Sequence, residues 1–215
     1  MTSDPSIGDI VVALAGGLTD ARELLNRLDG VAGDGDLGLT AGRAAEALVE
    51  VAPTLADLPP GEALKSIGMV LARRAPSTGG TLLAFACLAA ARVEPAAEAP
   101  AFAVADRLDA ARDEIARRGK VEPGDRTMLD ALAPAAAAFR DAADAGSGVG
   151  ACLAAAAAAA DRGATSTMDM DASTGRAGWL ADRARGHEDA GARLIALIFA
   201  AAADAAGDDA GARES

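Results

Sequence analysis

The sequence predicts an all-α protein, and three observations carry the prediction. Alanine and leucine supply most of the apolar material, and both are strong helix formers. Aromatic residues are only 2% of the 215, with no Tyr, and β-branched runs are short. Apolar positions recur at three- and four-residue spacing between stops made by Gly, Pro and Asp. The length suits one domain with ample chain for a core, expected over residues 1–207 with a disordered tail at 208–215.

The elements follow in order. A first helix is expected over 7–28, where Ile10, Val11, Leu14, Leu18, Leu24, Leu25 and Leu28 keep a helical period. A Gly/Asp loop over 29–40 interrupts it. A second helix covers about 39–55, stopped by Asp57 and the Pro59–Pro60 pair, and a third covers 61–73, ending before Pro76. The fourth, about 81–92, is almost wholly apolar and so central. The fifth, 101–118, meets Gly119 where a helix often ends in glycine. A sixth emerges from VEPGDRTMLDAL and runs to about 143, and an Ala-rich seventh spans 151–161. Residues 163–175 read as polar loop, 175–185 as a short helix and 189–205 as the last helix. No repeat of 20–50 residues is present.

Composition excludes several functions. The net charge is −12 and basic residues are dispersed, which argues against nucleic acid and against an anionic membrane surface. The N-terminus lacks the basic segment of a signal peptide, and no run of about 18 uninterrupted strongly apolar residues is expected to span a bilayer. Cys87 and Cys152 lie in Ala/Leu contexts and read as buried structural thiols. The expected setting is cytoplasmic.

The most informative string is LDGVAGDGDLG, which places Asp29, Asp34 and Asp36 within eight residues. Two like charges about 5 Å apart repel by roughly 3 kcal/mol at an effective dielectric near 20. Three ionised carboxylates held together therefore call for a cation or a raised pKa. Carboxylate oxygens are hard ligands suited to Mg²⁺, which completes its shell with waters and phosphates. On its own the string reads equally as a metal–phosphate site or as an exposed acidic turn. It is not an EF-hand: the twelfth position is Thr40 counted from Asp29 and Ala45 counted from Asp34.

Three further loops carry candidates. Ser77-Thr78-Gly79-Gly80-Thr81 precedes a helix and offers either phosphate donors or a plain N-cap. The Asp125/Arg126 pair in the loop 119–127 reads as a helix-start device. In GRAGWLADRARGHEDAGA, Arg176 could clamp a phosphate, Trp179 fits the core, and the lone His187 reads as a loop hydrogen-bonder more readily than as a base. No G-x-x-x-x-G-K-[ST] string occurs.

Together, LNRLDGVAGDGDLGLT, STGGTLLAF, RGKVEPGDRTMLDAL and GRAGWLADRARGHEDAGA resemble, in order and separation, the ADP-binding L subunit of dihydroxyacetone kinases over nearly the full chain. The resemblance implies a single-domain antiparallel eight-helix barrel holding ADP or ATP and two Mg²⁺ ions at one end. It implies Asp29, Asp34 and Asp36 as metal ligands, with Gly38, Leu39, Thr40, Thr78, Gly79, Gly119, Met128, Arg176, Asp189, Ala190 and Gly191 around the nucleotide. No protein nucleophile is implied. The implied activity is phosphoryl transfer to a small keto-sugar held by a separate K subunit, in a homodimer or hetero-oligomer. The phosphate would come from ATP or from a phosphotransferase-system phosphocarrier. A non-catalytic ADP–Mg-binding regulator is the alternative. The chain departs from the family at Leu37, where His is frequent, at Thr78-Gly79-Gly80-Thr81, and at Asp189-Ala190-Gly191.

Overall fold

The computed structural model describes residues 6–94, 99–171 and 184–211, with side chains as far as Gly207. Among the described residues there are nine α-helices and no strand, so the all-α expectation holds. They are α1 (Ile7–Asp20), α2 (Arg22–Ala32), α3 (Leu37–Leu55), α4 (Pro60–Arg74), α5 (Thr78–Ala90), α6 (Pro100–Gly119), α7 (Leu129–Asp144), α8 (Val149–Ser166) and α9 (Ala190–Gly211). A 3₁₀ turn, Thr167–Asp169, follows α8.

Local chemistry explains the boundaries. Ser6 and Asp9 form a reciprocal capping box that starts α1. Pro60 and Pro100 occupy the first turns of α4 and α6, where a missing N–H is harmless. Boundaries differ from the sequence expectation in several places. α8 continues to Ser166 and a 3₁₀ turn follows, so residues 163–169 are not the polar loop expected over 163–175. α3 begins at Leu37, two residues before its expected start. The first helix breaks at Ala21, and its second half runs on to Ala32, so Asp29 is helical rather than in a loop. α5 begins at Thr78, which puts Thr78-Gly79-Gly80 in a helical first turn. α6 ends with Lys120, not Gly119, in the left-handed conformation at φ 55°. The last helix continues to Gly211, past the expected end near 205. The expected short helix at 175–185 lies largely outside the described residues, as do Arg176, Trp179 and residues 212–215.

Packing is cyclic. α1 packs on α3, and each helix from α3 to α9 packs on the next; α9 then packs back on α1. α2 lies against α3, α9 and α1 at one end of this ring. The core is built mainly from alanine, with Phe139, Leu25, Leu55, Ile115 and Leu129 as its largest fully buried apolar side chains. Small side chains let helix backbones approach: a Cβ on Gly163 of α8 would strike the main chain at Asp130 and Ala131 of α7. Inside the ring is an apolar cavity of about 440 Å³ lined from α1 and α3 through α9.

The stretch Ala190–Gly207 of α9 is long and apolar enough to cross a bilayer by length and composition, which the sequence reading did not anticipate. In the fold it is a core helix, with Ala192, Leu194, Ile195, Ala196 and Phe199 buried against α1, α7 and α8. Phe139 has no exposed surface. Phe139→Ala is expected to lower unfolding free energy by about 3–5 kcal/mol, whereas Val12→Ala at an exposed site stays within about 0.5 kcal/mol. Urea unfolding of the two variants checks this.

Candidate functional site

Neighbouring helices alternate in direction around the ring, so one end collects the N-terminal ends of α3, α5, α7 and α9. Residues at those four starts (Leu37, Thr78, Met128 and Ala190) line a single cavity of about 460 Å³, together with the C-terminal ends of α2 and α6. The first N–H groups of a helix lack carbonyl partners, and its dipole is positive there. Four such ends on one cavity make a rim suited to anions.

The acidic cluster sits at the α2–α3 edge of this cavity. Asp29 and Asn26, one turn apart on α2, cap α3 from outside. Asp29 Oδ2 accepts the N–H groups of Asp36 (2.9 Å) and Leu37 (3.2 Å). Asn26 Oδ1 accepts those of Gly38 (2.7 Å) and Leu39 (3.3 Å). The Asp36 side chain is thereby relieved of capping its own helix. One carboxylate oxygen each from Asp29, Asp34 and Asp36 lies within 4.8 Å of the others. Gly33 is demanded by this arrangement, because a Cβ there would run into the Asp29 carboxylate. Three hard oxygen donors at this separation fit a divalent cation such as Mg²⁺.

The remaining walls grade from polar to apolar. Ser77 Oγ accepts the Gly80 N–H (3.1 Å) and caps α5, leaving the first-turn amides of Thr78 and Gly79 at the cavity. Away from the carboxylates the lining is Leu82, Ile115, Gly119, Val121 and Met128. The turn before α7 is folded around Asp130, whose buried carboxylate accepts the N–H groups of Gly124 and Thr127 (2.7 Å). Arg126 in that turn has φ 62° and is 3% exposed. Asp189 Oδ2 accepts the Ala192 N–H (2.8 Å) at the start of α9. Burial pushes the Asp189 carboxyl up to about 6, opposed by the Ala192 N–H and the Arg126 charge.

Most sequence candidates meet here. Asp29, Asp34, Asp36, Thr78, Gly79, Gly119, Met128, Asp189, Ala190 and Gly191 all line the cavity. Gly38, Leu39 and Thr40 do not: they form the first turn of α3 behind the lining, with Gly38 and Thr40 buried and Leu39 40% exposed. Arg176 lies outside the described residues. His187 is exposed and absent from the lining. Asp125 and Arg126 do not start α7; Asp125 accepts the Glu122 N–H within the turn, and the buried Arg126 lines the cavity. Sequence reasoning missed Asn26, Arg126 and Asp130. Asn26 had a signal, since three residues before Asp29 is the same helix face.

Comparison with known proteins gives a consistent picture. The DAK2 domain family matches residues 31–204. The chain is 34% identical over 179 residues to the PEP-dependent dihydroxyacetone kinase, ADP-binding subunit DhaL, of Escherichia coli strain K12, covering 82% of this chain and 85% of that protein. It is 34% identical to the mouse (Mus musculus) triokinase/FMN cyclase over 86% of this chain, but spans only 32% of that longer protein. The dihydroxyacetone kinase from C. freundii, solved in complex with AMP-PNP and Mg²⁺, superposes with TM-score 0.73 at 28% identity, over 92% of this chain and 33% of that one.

Asp189 yields a pH prediction. Its folded pKa is raised, from 3.8 to about 6. Between those values the folded chain holds more protons than the unfolded chain, so this group's contribution to stability is full below the lower value and is lost as pH rises through the upper one. Asp189→Asn, which cannot ionise, is expected to gain stability relative to the parent across that window by on the order of 1 kcal/mol. Urea titrations at pH 4.5, 5.5 and 7 measure the difference; a constant offset would contradict the assignment.

Proposed function

The chain belongs to the DAK2 domain family, and from that premise we propose that it is the nucleotide-binding, phosphoryl-transferring component of a kinase for dihydroxyacetone or a similar small keto-sugar. The observation that carries this reading is the single cavity with helix N-termini on its rim, three carboxylates at one edge and apolar walls at the other. A nucleoside di- or triphosphate with Mg²⁺ has that same polarity.

Each part of the chain has a task in such a reaction. The apolar walls from Leu82 to Met128 receive the base, and Asp189, Ala190 and Gly191 close on it from the start of α9. The α5 amides of Thr78 and Gly79 hydrogen-bond phosphate oxygens. Asp29, Asp34 and Asp36 hold two Mg²⁺ ions. When bound, these supply charge neutralisation along the phosphates and in the loose transition state. Phosphoryl transfer needs positioning and charge stabilisation more than a protein nucleophile, and the reading assigns none. The acceptor is the sugar hydroxyl, presented by a K-type subunit docked over the open rim. ATP, or a phosphotransferase-system phosphocarrier acting on bound ADP, recharges the site.

The test begins with calorimetric titration of ADP into the chain with and without Mg²⁺. Asp34→Asn and Asp36→Asn are each expected to weaken Mg²⁺-dependent binding by roughly 10–100-fold or more, the loss seen on removing even outer-shell partners of a metal, with unchanged helical circular dichroism. Adding a dihydroxyacetone-loaded K subunit with ATP, or with phosphoenolpyruvate and its phosphocarriers, should yield sugar phosphate. Failure to bind nucleotide would sink the proposal. Binding without transfer in either arm would assign the chain to a regulatory role.

A further inference from the structure

Arg126 is a charged side chain placed where a charge is expensive. It is 3% exposed, and its backbone adopts φ 62°, a conformation that L residues other than Asn and Asp rarely take. Backbone strain of this kind persists only where surrounding contacts enforce it. The contacts are specific. Nε donates to the Thr167 carbonyl (3.1 Å), and Nη2 donates to the carbonyls of Ala184 (2.8 Å) and His187 (2.7 Å). Those acceptors are 41, 58 and 61 residues away in sequence. Thr167 follows the last residue of α8, so the guanidinium also faces the negative end of a helix dipole.

The bonds continue toward the cavity. Thr167 is fully buried, and its Oγ1 accepts the main-chain N–H of Asp189 (2.8 Å). Asp189 in turn caps α9 through Ala192. Arg126 stands two residues before Met128, so one side chain ties the Met128 wall to the segment entering α9. The two walls are already at contact distance. A Cβ on Gly191 would lie 3.0 Å from Asp189 Oδ2 and 3.4 Å from Met128 Cβ, so a shift of a few tenths of an ångström changes the gap between them.

We propose that Arg126 is a positioning residue which, through Thr167, fixes the Asp189–Gly191 turn against Met128 and so sets the width of the apolar, base-receiving side of the cavity. This rests on the nucleotide reading above. Its signature is selectivity. The carboxylate edge is organised by Asn26 and Asp29 of α2, which hold the start of α3. Arg126 bonds instead to the carbonyls of Thr167, Ala184 and His187, so loss of the clamp weakens ligands that carry a base and spares those that do not.

The test uses the full chain with two probes, Mg²⁺–ADP and Mg²⁺–pyrophosphate, measured by calorimetry. Arg126→Lys keeps a cation but loses the planar fork that reaches three carbonyls. Thr167→Val keeps the buried volume and loses only the hydroxyl, so it reads the same link if the first variant fails to fold. Each is expected to weaken ADP roughly tenfold while leaving pyrophosphate unchanged, and Thr167→Ser, which restores the hydroxyl, should recover ADP affinity. Equal losses for both probes, or no loss for either, would overturn the positioning role. Failure of the parent chain to bind ADP would instead remove the nucleotide reading itself, so the two failures are distinct.

Discussion

Alternation of helix direction around a closed ring is the constraint from which the rest follows. Once α3 begins at one end, α5, α7 and α9 must begin there too, and their unpaired amides collect on one rim. Each helix start carries the equivalent of about half a positive charge, so the rim attracts anions before any side chain is considered. The carboxylates of Asp29, Asp34 and Asp36 at one edge of the same rim repel anions and attract cations. Neither half of this arrangement suits a simple ion. Together they suit an anion that brings its own cation.

Precision at that rim comes from side chains that cap helices other than their own. Asn26 and Asp29 on α2 hold the first turn of α3, and Thr167 after α8 holds Asp189 ahead of α9. Long-range caps of this kind turn helix starts into fixed points relative to one another. A cap supplied within the same turn, such as Ser77 on α5, fixes only that turn. The alanine-rich core complements this, because small side chains let backbones approach while leaving an apolar cavity inside the ring.

Much of this was legible in the sequence, for identifiable reasons. Asp29, Asp34 and Asp36 are close in the chain and had to be close in space. Helix existence followed from composition and period. Arg126, Asp130 and Thr167 were illegible because their roles depend on partners distant in sequence or on a turn that reverses the chain. Arg126 looks like any arginine after Gly-Asp until φ 62° and three remote carbonyls place it inside. The break at Ala21 was hidden for a different reason. Ala is the best helix former, and what ends α1 there is the tertiary docking of α2 on α3 and α9, which overrides propensity.

Leu37 shows how position and side chain divide the work. Its main-chain N–H is held by the Asp29 carboxylate whatever side chain follows, so the geometry of the acidic cluster does not depend on residue type there. The side chain instead lines both the cavity at the rim and the apolar cavity inside the ring, as does Ile115. A residue in that partition faces the rim cavity on one side and the core on the other. A polar group there would gain a contact at the rim and face apolar surface behind it, whereas leucine joins the wall to the core. The difference at this position therefore acts on the polarity of the partition and leaves the three carboxylates where they are.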